Sequence, residues 1–472
     1  MRSACCARKV HRIHSHLSSQ THKKHHVRLL SQLTSEEAGR RANQLAQQES
    51  SSSPTTHNHL NTLLAHAGME SSMQNAPMSP PLHLATTHTR PADGVYLAED
   101  SKYGRMDNAT RLLLEKTVYQ LESLGLSSNL DSDADAEDST TLPPSFAFSS
   151  GMMAVTALIL AHTGPITVIL PDDVYHGVPT VLNNVFVPRH NVTIAKVDMM
   201  DTDNVIAVVE ETPQENDVIV WMETPSNPLC KVLDIAAICQ QLEPIKQSRS
   251  NITTVVDGTM VSPIITRPLE LGADVSMHSG TKYLAGHSDA LLGVLTTSPQ
   301  TQRGQELAPI LRSVLVDTGG VASAMDSWLT LRGLRTLHVR VERQSQTAMA
   351  VAQFLDQHES VSAVHYPGLS SHPNHSVAKK QMMNGMFGGV LSLEMNDQVE
   401  ATALAAALQT IQRATSLGGT ETLIEHRASI EPPGRVTSPQ GLLRMSCGLE
   451  EQADIIRDLD RAIAIAKQVT SG

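Results

Sequence analysis

The chain has 472 residues, 40% of them hydrophobic and 18% charged, an ordinary balance for a water-soluble globular protein. That length accommodates about three domains, each able to bury a core. A formal net charge of -12 argues against nucleic acid as the main partner, and no run approaches the roughly 18 apolar residues of a membrane helix.

The N terminus differs from everything after it. No acidic residue precedes Glu36, while Arg2, Arg8, Lys9, Arg12, Lys23, Lys24 and Arg28 are interleaved with Ser and His. An Arg- and Ser-rich, acid-poor start without a long apolar core fits a transit peptide for mitochondrion or plastid. It fits a disordered basic tail equally, with the cytoplasm as location. His22, His25 and His26 read as part of that segment rather than as metal ligands. The stretch from Gln47 to about Pro80 is Ser, Thr, His and Asn, and reads as a linker that closes an N-terminal segment 1–80. The five cysteines, Cys5, Cys6, Cys230, Cys239 and Cys447, form no CxxC pair and no zinc spacing. A reduced intracellular chain without a structural metal is therefore expected.

From Arg111 the pattern becomes periodic. Leu112, Leu113, Leu114, Val118 and Leu121 recur at helical spacing behind Asn108, a suitable N-cap. The acidic stretch 131–138 cannot bury itself and reads as a solvated loop. Three apolar, β-branched runs come next, Ile166–Leu170, Val218–Met222 and Ile252–Val256, separated by helix-like segments of which Gly151–His162 is the first. Strands alternating with helices predict an α/β domain, 81–330, around a mainly parallel sheet. Ligands of such sheets gather beyond the carboxyl ends of the strands. A smaller α+β domain is predicted over 331–472. Its elements are a long helix from Gly333 to about Gln357, strands at Val361–Tyr366 and Val390–Glu394, and helices at Ala401–Ile411 and Ala453–Val469.

The segments just beyond these runs carry the chemistry. After the third stands Asp257, and further on Ser279-Gly280-Thr281-Lys282-Tyr283. A buried Asp at a strand end keeps a pyridine nitrogen protonated, and a lysine of lowered pKa condenses with an aldehyde. Beyond the first run lies Asp172-Asp173-Val174-Tyr175-His176-Gly177, which sets Tyr175 at the site mouth, either to stack on a ring or as a structural tyrosine. Beyond the second is Glu223-Thr224-Pro225-Ser226-Asn227-Pro228, where Asn227 is suited to a ring hydroxyl or to a turn. Ser149-Ser150-Gly151-Met152 opens a helix whose free N–H groups suit an anion such as phosphate.

Residues Val255–Val294 resemble the Cys/Met-metabolism enzymes that depend on pyridoxal 5'-phosphate (PLP), the trans-sulfuration enzymes. Further blocks agree in order from about Pro80 onward: Tyr103-Gly104-Arg105, SSGM, DDVYHG, ETPSNP, LRGLRTL, HYPGLSSHP, SLGGTETLIEH and LLRMSCG. The resemblance implies PLP fold type I, with Lys282 as Schiff-base lysine and proton shuttle and Asp257 on the ring nitrogen. It implies Tyr175 stacked on the ring, Asn227 at its 3'-hydroxyl, and Gly151, Met152, Ser279 and Thr281 around the phosphate. Tyr103 and Arg105 would reach that phosphate from a neighbouring subunit, which implies a homodimer or dimer of dimers. Arg444 would clamp the substrate carboxylate, with Ser416 beside it and Glu421 near the substrate's distal end.

Several positions depart from the family pattern. Gly258 replaces the asparagine of VDNT, His176 stands where glycine is usual, and Met106, Asp107 and Ala109 alter the segment after Arg105. The loop from Ile430 to Gly441 is shorter than in most relatives. Gly177 occupies the place of the reactive cysteine of methionine γ-lyases, the least expected member. The DGT and YGR spellings resemble plant-type cystathionine γ-synthases, so the expected reaction is replacement at Cγ of an activated homoserine ester by cysteine. A cystathionine β- or γ-lyase is the alternative, and a non-catalytic scaffold of the same fold a third reading. Small amino acids are the expected substrates.

Overall fold

The computed structural model describes residues 59–69, 77–94, 102–126, 142–431 and 438–471. The basic start with its histidines, Cys5 and Cys6, the acidic stretch 131–138 and residues 432–437 of the short loop lie outside the described residues. Among those described, no helix is long and apolar enough to cross a membrane.

Seven strands form the first sheet: β1 (Ser145–Phe148), β2 (Ile166–Pro171), β3 (Val192–Val197), β4 (Asp217–Glu223), β5 (Ile252–Asp257), β6 (Val275–His278) and β7 (Gly293–Thr297). Their order is β1-β7-β6-β5-β4-β2-β3. The pairs β6/β5, β5/β4, β4/β2 and β2/β3 are parallel, while β7 runs against both of its neighbours. The three apolar runs are thus β2, β4 and β5, and β2 and β5 are buried along their whole length. Helices cover both faces, so neither face of these strands meets water, which is why they lack polar alternation.

The helix expected after Asn108 spans Ala109–Glu122, and the Asn108 side chain accepts the Arg111 N–H. Arg111 is fully buried and donates to the carbonyls of Gly104 and Met106, both at 2.9 Å. A single guanidinium thereby shapes the turn that bears Tyr103 and Arg105. The stretch read as linker contains a helix, Leu60–Ala65, and this corrects that reading. Leu60, Leu63 and Leu64 recur at i, i+3 and i+4; Leu64 is fully buried and the other two pack on the core. Three leucines on one face outweigh the polar composition around them.

The second sheet holds β8 (Ala363–His365), β9 (Val390–Glu394), β10 (Gln412–Arg413), β11 (Leu423–His426) and β12 (Leu442–Ser446), in the order β10-β11-β12-β9-β8. The long helix begins at Leu337 rather than Gly333, after a separate helix Ala324–Leu334. Arg340 explains the break: it donates to the Gly333 and Tyr283 carbonyls at 2.8 and 3.0 Å, holding the corner against the first sheet's loops. The helix expected over Ala401–Ile411 spans Gln398–Ala407. Asp397 caps its start, and the Asp458 carboxylate takes the N–H groups of Gln409, Thr410 and Ile411 beyond its end. The last helix, Gln452–Ser471, packs on it.

Candidate active site

The carboxyl ends of β1, β2, β4, β5 and β6 open on one cavity of about 430 Å³. Each contributes a segment singled out in the sequence. The turn after β1 brings Ser150, Gly151 and Met152; that after β2 brings Tyr175 and His176; that after β4 brings Asn227. Asp257 closes β5, and Ser279, Thr281 and Lys282 come after β6. The second sheet completes the wall with Ser416, Glu425, Arg427 and Arg444.

Lys282 Nζ donates to Ser416 Oγ at 2.7 Å. Burial, with the Arg444 charge adding to it, lowers the lysine from its ordinary 10.5 to about 8, while Glu425 pulls the other way. The amine therefore loses its proton far more readily than an ordinary lysine, toward the free form that condensation with an aldehyde requires. Asp257 is buried, its Oδ1 accepting the Thr259 N–H at 2.9 Å. Burial raises its pKa, opposed by the Thr259 bonds and by His278. A carboxylate so placed gains most from a cationic partner.

Arg444 is 5% exposed and has three partners: Asn227 Oδ1 at 3.1 Å, the Ser416 carbonyl at 2.8 Å and Glu425 Oε1 at 2.8 Å. The Asn227 oxygen is thus engaged, leaving its amide N–H groups for an oxygen in the cavity. Glu223, not singled out in the sequence, is buried at the end of β4 in register with Asp257. Its carboxylate accepts the N–H groups of Tyr175 (2.9 Å) and Asn227 (2.8 Å), fixing both turns.

The anion end is built from the helix Gly151–Leu160. Its cap Ser150 accepts the Met153 N–H, and Ser150, Gly151 and Met152 line the cavity, so the unpaired N–H groups of a helix start stand at its wall. A Cβ at residue 151 would come within 3.2 Å of Ser279 Oγ, so glycine keeps this space clear. Thr281 Oγ1 is already bonded to the Leu292 carbonyl and N–H, both at 3.1 Å. Of the two hydroxyls, that of Ser279 is the one with its proton to give.

Three predicted residues stand apart from the cavity. Tyr103 is 45% exposed, and Arg105 lies beside it, donating to the Val316 carbonyl; neither lines the cavity of its own chain. Glu421 is exposed and outside the cavity wall, which corrects its expected place at the substrate's distal end. It precedes β11, whereas Glu425 lies within β11 opposite Arg444 and points inward. At Gly177 a Cβ would fall 2.4 Å from the Tyr175 ring, so a cysteine there requires that ring to move.

The family profile described as "Cys/Met metabolism PLP-dependent enzyme" matches residues 61–464. The chain belongs to this family. It is 36% identical over 414 residues to a cystathionine β-lyase of Coxiella burnetii, covering 86% of this chain and 98% of that one. It is also 36% identical over 409 residues to a cystathionine γ-synthase of Mycobacterium bovis, covering 85% and 96%. The crystal structure of cystathionine γ-synthase from Xanthomonas oryzae pv. oryzae, in complex with aminoacrylate and cysteine, superposes with a TM-score of 0.76 at 29% identity, covering 88% and 100%.

A PLP-dependent trans-sulfuration enzyme has to house a phosphate, a pyridinium and an aldehyde carbon. The cavity offers a glycine-cleared helix start, a buried carboxylate and a lysine of lowered pKa, so the residues fit the cofactor. Glu223, Glu425 and Arg427 are the functional candidates that reading the sequence missed. A signal for Glu425 was present: it follows the core residue Ile424 in the strand Leu423–His426, so the charged residue takes the opposite strand face, whereas Arg427 opens the short helix after that strand.

Proposed function

We propose that this trans-sulfuration enzyme is a cystathionine γ-synthase. The observation that carries the reading is Lys282 Nζ, its pKa lowered to about 8, hydrogen-bonded to Ser416 in the cavity that Arg444 also lines. Replacement at Cγ needs one base that serves Cα and Cβ in turn, and a lysine on a flexible stem suits that task. The DGT and YGR spellings and the 36% identity to a relative of that name support the same direction.

In this reading PLP, when bound, supplies the electron sink for a carbanion beside the substrate amino group. Asp257, buried and charged, would keep the proton on its ring nitrogen. Tyr175 would pack on the ring, Asn227 would give an N–H to its oxygen, and Gly151, Met152 and the Ser279 hydroxyl would hold the phosphate, with Thr281, bonded to Leu292, shaping the loop around it. Tyr103 and Arg105 of a second copy of this chain complete that phosphate site, which makes the active form at least a dimer. Arg444 holds the substrate α-carboxylate beside Ser416. Lys282 takes the proton from Cα and then from Cβ. The ester leaves Cγ as its acid anion, the cysteine sulfur forms the new bond to Cγ, and Lys282 returns protons to carbon. Homoserine ester and cysteine become cystathionine and free acid. The two-lobed division, 81–330 for the cofactor and 331–472 for the clamp, belongs to the same proposal.

The test is direct. Purified full-length enzyme is given cysteine with O-acetyl-, O-succinyl- or O-phosphohomoserine and, separately, cystathionine alone, and products are read by mass spectrometry. Cystathionine from any ester is the expected result; none from all three removes the assignment. A keto acid with ammonia from cystathionine alone would favour a lyase, the reading that the equal similarity to a cystathionine β-lyase supports. Arg444→Ala is expected to raise KM roughly 100-fold while kcat stays within about tenfold, because it removes a buried charged contact made before chemistry begins. An unchanged KM would mean that Arg444 is no clamp.

A further inference from the structure

Replacement at Cγ consumes a thiol, and the proton has to leave sulfur as the S–Cγ bond forms, because the thiolate is the nucleophile. Lys282 is occupied with Cα and Cβ, so the acceptor must be another titratable group on the cavity wall. Asp257 serves the ring nitrogen. Glu223 spends its carboxylate on the N–H groups of Tyr175 and Asn227, and Glu425 is paired with both Arg427 and Arg444. Burial, with the Glu223 charge adding to it, raises the pKa of the Tyr175 phenol, which therefore keeps its proton.

His176 differs from all of these. It lines the cavity beside Tyr175, the two ring centroids 4.8 Å apart and the planes tilted by 57°. It precedes the short helix Gly177–Val181 without capping it, and among the described residues its ring nitrogens have no hydrogen-bond partner. Partial burial lowers its pKa below the ordinary 6.5; the Arg427 and Arg444 charges push the same way, and Glu431 and Glu425 oppose them. The imidazole is thus neutral near pH 7 and able to accept a proton. It is also exposed, on the open side of the cavity through which a second substrate enters.

We infer that His176 is the general base that takes the thiol proton of the second substrate, a further catalytic residue of the replacement reaction. The inference rests on the proposed function. As sulfur bonds to Cγ, the electron pair of the S–H bond stays on sulfur and the proton passes to an imidazole nitrogen. The imidazolium then gives that proton to water, so no oxidant or reductant is needed.

The test uses PLP-loaded full-length enzyme, the homoserine ester that wild type accepts, and cysteine. Without thiol addition the same ester can only eliminate, to a keto acid and ammonia. Mass spectrometry reads how turnovers divide between cystathionine and keto acid, a ratio independent of folding yield and cofactor load. A thiol of pKa about 8.5 is only a few per cent ionised near pH 7, so His176→Gln, confined to that fraction, should shift the division toward keto acid roughly 10- to 30-fold. The shift should fade as pH rises past about 8.5. With thioacetate, ionised throughout, variant and wild type should divide the ester alike, which a merely structural defect would not allow. Wild type should hold its division as pH falls to the ordinary imidazole value of 6.5, where dependence on free thiolate would cost about tenfold per pH unit. A wild-type division in His176→Gln near pH 7, an equal shift with thioacetate, or that tenfold slope in wild type would each overturn the role of His176. Should His176→Gln fail to fold, the wild-type pH series decides. If no ester gives cystathionine with wild type, the proposed function itself fails and takes this inference with it.

Discussion

Lys282→Ala should yield a folded protein that binds PLP loosely, lacks the visible absorbance of the wild type and turns over at least about 10⁴-fold more slowly. The variant loses both the group that fixes the aldehyde and a general base, the latter alone accounting for roughly 10²- to 10⁴-fold. Folding should survive because the lysine makes one side-chain hydrogen bond, to Ser416. Added small primary amines should restore part of the rate by taking over the proton transfers. A wild-type visible spectrum in the variant would remove Lys282 from this role. The lowered lysine also sets a pH dependence. Above about 8 the amine is free in the fold, so cofactor uptake by cofactor-free wild type should quicken as pH rises through that value. A rate that climbs without levelling above about 8, on toward the ordinary 10.5, would show the lysine to be unperturbed.

Asp257→Asn should keep the fold and cost kcat roughly 10²- to 10⁴-fold, the range set by about 3–5 kcal/mol for breaking a buried charge pair. Asparagine preserves the shape and the bond from the Thr259 N–H, but it carries no charge to retain a proton on the ring nitrogen. The electron sink weakens while substrate binding at Arg444 is untouched, so the loss should fall on kcat. A kcat within tenfold of wild type, with cofactor bound, would detach Asp257 from the ring.

How much of this was legible depended on whether the signal was local. Ile166–Leu170, Val218–Met222 and Ile252–Val256 announced three central strands because burial on both faces forces continuous β-branched runs. The six-residue edge strand β3 went unread, and so did β1, β6 and β7. At four or five residues each, with Ser, His or Gly among them, they give no period to detect. Asp257, Tyr175 and Asn227 could be placed because each lies at or just beyond a strand that was read, where loops converge, and Lys282 because Ser279 and Thr281 precede it in order behind Asp257. Glu223 and Glu425 acquire meaning only through partners far along the chain, and Arg427 only by standing beside Glu425 on the cavity wall. Glu223 acts on the Tyr175 N–H, and Glu425 faces Arg444 across β11 and β12. Glu421 and Glu425 stand in the same block, SLGGTETLIEH; the resemblance pointed to Glu421, and only strand register shows that Glu425 faces Arg444.

The seam between the two sheets has a bearing on descent. Asp257, Tyr175 and Lys282 hang from the first sheet, whereas Arg444 and Glu425 are borne by the second, and Arg427 comes directly after β11. Two side-chain hydrogen bonds, Lys282 to Ser416 and Arg444 to Asn227, tie the halves of the site together. A lineage can therefore redraw the wall that chooses the substrate while the reactive half stays as inherited. Proteins with the same reactive half and different walls would then diverge in trade rather than in toolkit, as the equal kinship of this chain to a lyase and to a synthase would have it.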